Sequence, residues 1–322
     1  MAKQSIATAN TVLVKKRPFQ KFCIDFVRNW QLHLLMVIPV VYMLLVEYIP
    51  MYGLQIVFRD YRARAGIVGS EWVGLQQFFT FFENSDWYLY VWNTFRIASY
   101  TILAGFPVPI ILALIIHVND RGVLKKITQN VSYVPHFIST VVLVGIMNRI
   151  FDPYVGWLNG LSQLLDLDVV PNLMGDPELF DHVYVWSGVW QNMGWSAIIY
   201  LSSLSSVSPE LHEAARIDGA SRFKRVLHVD IPAILPMICI QLIMRMSGVL
   251  SVGFEKVYLM QNDLNARRSE VISTYVYKQG LGKNNMSYGA AVGLMNGIIS
   301  TVMVITVNWI TNKLSDGEAG LW

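Results

Sequence analysis

Ionisable side chains inside long apolar runs are the residues of this 322-residue sequence best placed to do chemistry. An unpaired charge is costly in such a run and persists where it has a task. Glu47, Arg96, Arg149 and Arg245 qualify. Arg245 stands near the middle of its run, between Met244 and Met246, too far from either end to reach a polar boundary easily. Its guanidinium either contacts a solute, such as a carboxylate, or pairs with Glu255 or with carbonyl groups of a neighbouring helix. Arg96 and Arg149 lie close enough to run ends for their apolar stems to carry the charge outward. The six histidines, at 33, 117, 136, 182, 212 and 228, have no metal-ligand spacing, and no Ser/His/Asp set converges. His136, beside Pro135, reads either as lining a pathway or as a polar residue satisfied between helices. Cys23 and Cys239 are far apart and outside any zinc spacing, so they read as two small buried hydrophobes. No Gly-x-x-x-x-Gly-Lys-Ser/Thr sequence occurs, so this chain supplies no nucleotide site. Catalytic, metal and cofactor sites are therefore not expected on it.

A second group of residues is organised for contact rather than catalysis. The segment 208–232 reads as two short helices. Ser208 is an N-cap, Pro209 suits the first helical position, and Glu210 and Glu213 sit near the positive end of the helix dipole. Gly219 supplies a left-handed C-terminal cap. Ser221 can cap a second helix, Arg222 to His228, which Pro232 is expected to stop. Ala214, Ala215 and Gly219 leave one side nearly free of side-chain bulk, so another protein's backbone could approach closely, and the segment reads either as a docking element for a partner or as a plain surface helical hairpin.

Glu213-Ala214-Ala215, then three residues, Gly219, then nine residues, Val229, one residue, Ile231 and Pro232 resembles the EAA motif of ATP-binding cassette (ABC) importer permeases. The family pattern has Ile and Leu where this chain has Val229 and Ile231, both conservative exchanges. Asp218-Gly219-Ala220 within the motif looks like the carbohydrate-uptake branch. Gly253 to Met260, Thr274 to Tyr277 and the closing Gly320-Leu321-Trp322 are similar to lipoprotein-type polysaccharide permeases. The resemblance implies a type I importer fold and half of a translocation pathway. It also implies a second homologous permease, two ATPase subunits holding ATP and Mg, and an external or periplasmic solute-binding protein. Glu213, Ala214, Ala215, Asp218, Gly219, Ala220 and Pro232 would form the ATPase-coupling element, with Arg245, His136 and Glu255 as pathway candidates.

The elements that must position these residues are membrane helices. The chain is 54% hydrophobic and 15% charged, where an average soluble domain carries roughly 25% charged residues. Its mean hydropathy is +0.42. The apolar residues collect into six runs, 32–49, 97–116, 131–147, 183–204, 233–254 and 288–310, each near the length of about 20 residues that crosses a bilayer. The first run begins beyond residue 30 after several basic residues and has no small-residue cleavage site, so it reads as an uncleaved anchor. Placing the N-terminus in the cytoplasm puts fourteen Lys and Arg inside and eight outside, as the positive-inside rule requires. The third external loop has acids at 152, 166, 168, 176, 178 and 181 and no Lys or Arg. Trp and Tyr cluster at run ends, where headgroups would lie. Pro39, Pro107, Pro109 and Pro135 fall inside runs and free backbone carbonyls that neighbouring helices or a wet cavity must satisfy.

The expected protein is thus an all-α integral membrane protein with six transmembrane helices and both termini cytoplasmic, in the bacterial inner membrane. Its parts are a basic segment 1–30, a first helix 31–50, an external loop 51–89, a five-helix permease core 90–311 and a tail 312–322. The net charge of +3 is too small for a nucleic-acid binder. A self-sufficient ion-coupled carrier is the rival reading, and it would need intramembrane carboxylates, for which Glu47 is the one candidate. The resemblance suggests oligosaccharides, with an alginate-type acidic oligosaccharide as the specific expectation. The outside loops argue against an anion, with eight basic against thirteen acidic residues.

Overall fold

The computed structural model describes residues 28–119, 122–165, 171–248 and 253–314. The basic segment before residue 28, Cys23, Arg121, Asp166, Asp168 and the tail from 315, all read in the sequence, lie outside the described residues. The chain divides into two compact units at Gln55.

The first unit holds α1 (Trp30–Met43), which runs on through a π turn, Leu44–Tyr48, carrying Glu47. No residue of α1 is buried, even though its sequence is almost wholly apolar. That exposed apolar surface is what lipid would cover.

The second unit opens with a two-residue antiparallel ladder, β1 (Arg59–Asp60) on β2 (Glu71–Trp72), pairing Arg59 with Trp72 and Asp60 with Glu71. Helices follow: α2 (Gln76–Glu83), α3 (Trp87–Gly105), α4 (Pro107–Val118), α5 (Gly122–Tyr133) and α6 (Thr140–Ile150). After a short helix, Trp157–Leu164, come α7 (Pro177–Ser205), α8 (Pro209–Ile217) and α9 (Arg222–Arg225). The unit closes with α10 (Ile231–Ser247), α11 (Phe254–Met260), α12 (Ile272–Tyr277) and α13 (Met286–Leu314).

Among the described residues, four helical stretches are long and apolar enough to cross a membrane, Trp30–Phe58, Trp87–Val118, Arg222–Met246 and Met286–Lys313. A bent pair, Gly122–Phe137 with Thr140–Ile150, adds a fifth if it forms one span. α7 has 29 residues, about 43 Å at 1.5 Å per residue, but Gln191, Asn192 and its tryptophans dilute its apolar character. It tolerates them because it is the central helix. Phe180, Tyr184, Val185 and Val189 join Ile97, Leu143 and Val257 in one buried cluster, while Ala197, Tyr200, Leu201 and Leu204 join Ala113, Ile116 and Ile234 in another.

Three expectations from the sequence are corrected. The run 131–147 is not one straight helix. It passes from α5 into a 3-10 turn, Val134–Phe137, and resumes as α6 at 99°. Pro135 removes one N–H, Ser139 caps α6 by accepting the Val142 N–H at 3.3 Å, and the freed Ile138 carbonyl accepts from Gln191 Nε2 at 2.7 Å. An α7 polar group thus completes the broken backbone, as an apolar setting demands. Pro232 does not stop the helix from Arg222. It sits in the first turn of α10, and a π turn, Val226–Asp230, carries the chain continuously from α9 into it. Such a turn accommodates the hydrogen bond that proline cannot make. Finally, the run 233–254 does not form a single helix. α10 ends at Ser247 with Gly248 as its cap, which places Arg245 in the last turn and not mid-span.

Helices in a bilayer gain little from hydrophobic association and approach through small residues. At Gly194 on α7, a Cβ would lie 2.0 Å from the Ser132 carbonyl oxygen of α5. Gly194→Val is therefore expected to force the two helices apart at a cost of at least about 2 kcal/mol. A markedly lower thermal unfolding midpoint of the detergent-solubilised protein is the result to look for, and an unchanged midpoint would show that the contact is not needed.

Candidate functional site

The segment after α7 is held by local backbone chemistry. Ser208 Oγ accepts the Glu210 N–H at 3.3 Å and Pro209 opens α8. At the other end the Gly219 N–H donates to the Arg216 carbonyl at 3.0 Å and the Ala220 N–H to the Ala215 carbonyl at 2.9 Å, the paired bonds of a Schellman cap. Gly219 has φ of +73°, and nothing lies within 4 Å of where its Cβ would stand. Glycine is required there by the backbone angle, not by crowding inside the chain. Ser221 Oγ then accepts the Lys224 N–H at 3.3 Å. Glu213, Ala214, Asp218 and Gly219 are exposed, and Ala215 and Ala220 are half-buried on the same hairpin. Pro232 lies at its base, in the next helix. Leu211, Ile217 (87% exposed) and Phe223 also project from this element. Three large apolar side chains on a short capped hairpin form a surface suited to a protein partner.

A cavity of about 440 Å³ lies along α7, walled by α3, α4, the start of α6, α7, α10 and the start of α11. Two basic side chains reach it. Arg245 donates from Nη1 to the Gly105 carbonyl at 3.2 Å and from Nη2 to Ser196 Oγ at 3.3 Å. Lys256 donates from Nζ to the Tyr184 carbonyl at 2.8 Å and lies 4.9 Å from the centre of the Tyr184 ring. Among the described residues, no carboxylate lines the cavity. Burial brings the Lys256 ammonium down from its ordinary value to about 7, so the cavity holds one fixed positive charge and one that titrates near neutrality. Glu255, the expected partner of Arg245, is exposed and is not among its hydrogen-bond partners. Of the alternatives open for Arg245, pairing with helix carbonyls is present, and the cavity wall is present with it.

His136, half-buried, donates from Nδ1 to Asn192 Oδ1 at 3.0 Å and stacks on Trp195 with ring centres 4.7 Å apart. It is a satisfied polar residue between helices. Arg96 does not extend outward to solvent as its position suggested. Its Nε lies 2.6 Å from Asp181 Oδ2 on α7, and its Nη2 donates to Asp181 Oδ1 and to the Arg268 carbonyl. Arg149 is exposed in the last turn of α6, and Glu47 is exposed in the first unit. The sequence offered no metal-ligand set, yet His117, His212 and Asp230 converge at the foot of the hairpin. Spacing could not reveal them, because they come from α4, α8 and the π turn before α10.

The chain matches the family described as binding-protein-dependent transport system inner membrane component over residues 105–316. It belongs to that family. It is an inner-membrane permease of a binding-protein-dependent transport system rather than an enzyme, which sets aside the ion-coupled carrier. Among curated relatives it is 34% identical to the polygalacturonan/rhamnogalacturonan transport system permease protein YteP of Bacillus subtilis (strain 168), over 100% of this chain and 99% of that one. It is 37% identical to the protein LplB of the same organism, over 89% of this chain and 90% of that one. Its fold is similar, at a TM-score of 0.85 and 30% identity, to a chain of a bacterial alginate ABC transporter solved in complex with an alginate pentasaccharide-bound periplasmic protein. That likeness covers 95% of this chain and 100% of the other.

The functional residue that spacing within the apolar runs does not reveal is Lys256, one of the eight basic residues counted outside, although the sequence does carry a usable signal for it. Lys256, Val257 and Met260 recur at helical spacing and form the buried face of α11.

The Arg96–Asp181 pair ties α3 to α7 beside this cavity, and Asp181 is almost fully buried. Asp181→Asn is expected to leave Arg96 without its counter-charge and to destabilise the permease by about 3 kcal/mol, the low end for breaking a buried ion pair. Urea or thermal unfolding in detergent measures this. A change below about 0.5 kcal/mol, the range of an ordinary surface substitution, would show the pair to be incidental.

Proposed function

We propose that this permease forms half of the translocation pathway of an importer for acidic oligosaccharides, with Arg245 and Lys256 contacting the carboxylates of the solute. The carrying observation is the cavity with two basic side chains and no lining carboxylate. Polygalacturonan and alginate, after which the similar transport proteins are named, are polymers of uronic acids, and this supports the same substrate class here. The negative balance of the outside loops does not weigh against it, because the charge that a solute meets is set by the cavity wall.

The proposal extends to the assembly. A second homologous permease completes the pathway, two ATPase subunits hold ATP and Mg, and an external solute-binding protein delivers the solute. The periplasmic protein in the alginate complex supports that last partner. We count α7 and the bent pair as spans, giving six in all, and the fourteen-to-eight basic bias supports a cytoplasmic side for both termini and the hairpin 208–232. α8 docks in the ATPase. Its exposed apolar side chains and the rigid cap at Gly219 support this, since a lever must keep its shape to transmit movement.

Arg245→Gln and Lys256→Gln are each expected to lower uptake of a uronic-acid oligosaccharide by about tenfold or more, the worth of a charge-assisted hydrogen bond. Uptake of its carboxyl-reduced, neutral counterpart and basal ATP hydrolysis should hardly change. Equal loss for both sugars would contradict contact with the solute carboxylate. The Lys256 ammonium deprotonates as pH rises through about 7, so wild-type uptake should decline between about pH 6 and pH 8, and that decline should flatten in Lys256→Gln.

Gly219→Val places a β-branched side chain at positive φ, costing about 1–3 kcal/mol of local strain. Membrane insertion should stay normal while ATPase retention during purification weakens and solute-dependent ATP hydrolysis is lost. Normal retention and normal uptake would remove α8 as the coupling element.

A further inference from the structure

The foot of the hairpin carries a cluster that transport itself does not explain. Asp230, in the π turn before α10, is buried, with only 2% of its side chain exposed. Among the described residues its Oδ1 has no hydrogen-bond donor in bonding geometry. Two imidazole nitrogens nevertheless face that oxygen, His212 Nε2 of α8 at 3.2 Å and His117 Nε2 of α4 at 3.8 Å. His212 Nε2 is likewise buried and without a hydrogen bond.

With neutral imidazoles these contacts are not ion pairs, and three ligand atoms gathered around one point with no hydrogen bond between His212 Nε2 and Asp230 Oδ1 have the arrangement that a small cation imposes. A tetrahedral zinc site with bonds of about 2.1 Å separates its ligand atoms by about 3.4 Å. The two measured separations bracket that value, and all three ligand atoms lie within 4.8 Å of one another. The three residues line a cavity of about 370 Å³ together with Glu213, Arg216, Arg222 and Arg225. Water or a carboxylate could complete the coordination there.

We propose that His117, His212 and Asp230 form a binding site for one divalent transition-metal ion of the zinc class. Two imidazoles with one carboxylate suit such an ion better than magnesium or calcium, which take oxygen ligands. The bound ion joins three segments: the end of α4, the helix α8 and the start of α10. It ties the hairpin to the ends of two apolar helical stretches, so occupancy stiffens the joint through which α8 would act. The site stands on its own geometry and does not depend on the solute or on ATPase docking.

Equilibrium dialysis of the full-length permease in detergent against Zn(II), with elemental analysis, tests the site. One saturable ion per chain is expected, together with the intense visible absorption of tetrahedral cobalt when Co(II) is used as an optical probe. His117→Gln and Asp230→Asn should each weaken Zn(II) by at least about tenfold, since even residues that only support a ligand contribute that much. His228→Gln, outside the cluster, should bind as wild type does. Asp230→Asn keeps a side-chain carbonyl that can accept a hydrogen bond, so a purely hydrogen-bonded cluster would tolerate it. If the wild-type chain takes up no saturable ion, or if the ion persists unchanged in both cluster variants, the site is refuted.

Discussion

Inside a bilayer, a backbone group released from its helix has no water to turn to, and this constraint organises the permease. Its clearest expression is the Ile138 carbonyl, freed where α5 and α6 break at 99°, and taken by the side chain of Gln191. One bond accounts for both features. The break is tolerable because α7 supplies a donor, and the polar residues of α7 are tolerable because the surrounding helices use them. Gly194 makes the arrangement compact by letting α5 lie directly against α7.

Charge follows the same economy, with an informative exception. Arg96 has a buried carboxylate, Asp181, and so serves structure. Among the described residues, Arg245 and Lys256 have only carbonyl and hydroxyl acceptors, and both reach one cavity. Neutral acceptors satisfy hydrogen bonds but leave the charge uncompensated, which favours an anion arriving from elsewhere. The difference between Arg96 and Arg245 therefore separates a charge paired between helices from one that, on the proposed function, meets the solute.

Much of the hairpin was legible because its signals are local. Ser208, Pro209, Gly219 and Ser221 each act on a backbone within a few residues, and each takes the place that its chemistry dictates. The apolar runs likewise marked where helices form. Their ends and breaks were harder to read, because apolar composition does not distinguish a straight helix from one that turns at Ile138 or stops at Gly248. The burial of Lys256 was partly legible in the helical spacing of Lys256, Val257 and Met260, but its partner Tyr184 lies 72 positions away. The His117–His212–Asp230 cluster was illegible, because His117 lies 95 positions before His212 and no spacing rule reaches that far.

The central claim is that this chain provides a pathway for an acidic solute and that other subunits provide the driving force. Accumulation of a defined uronic-acid oligosaccharide in proteoliposomes measures it directly, with the solute-binding protein outside and ATP inside. Accumulation should require the second permease, the ATPase subunits and ATP together, and should be insensitive to an imposed proton or sodium gradient. Uptake by this chain alone, driven by such a gradient, would contradict the account.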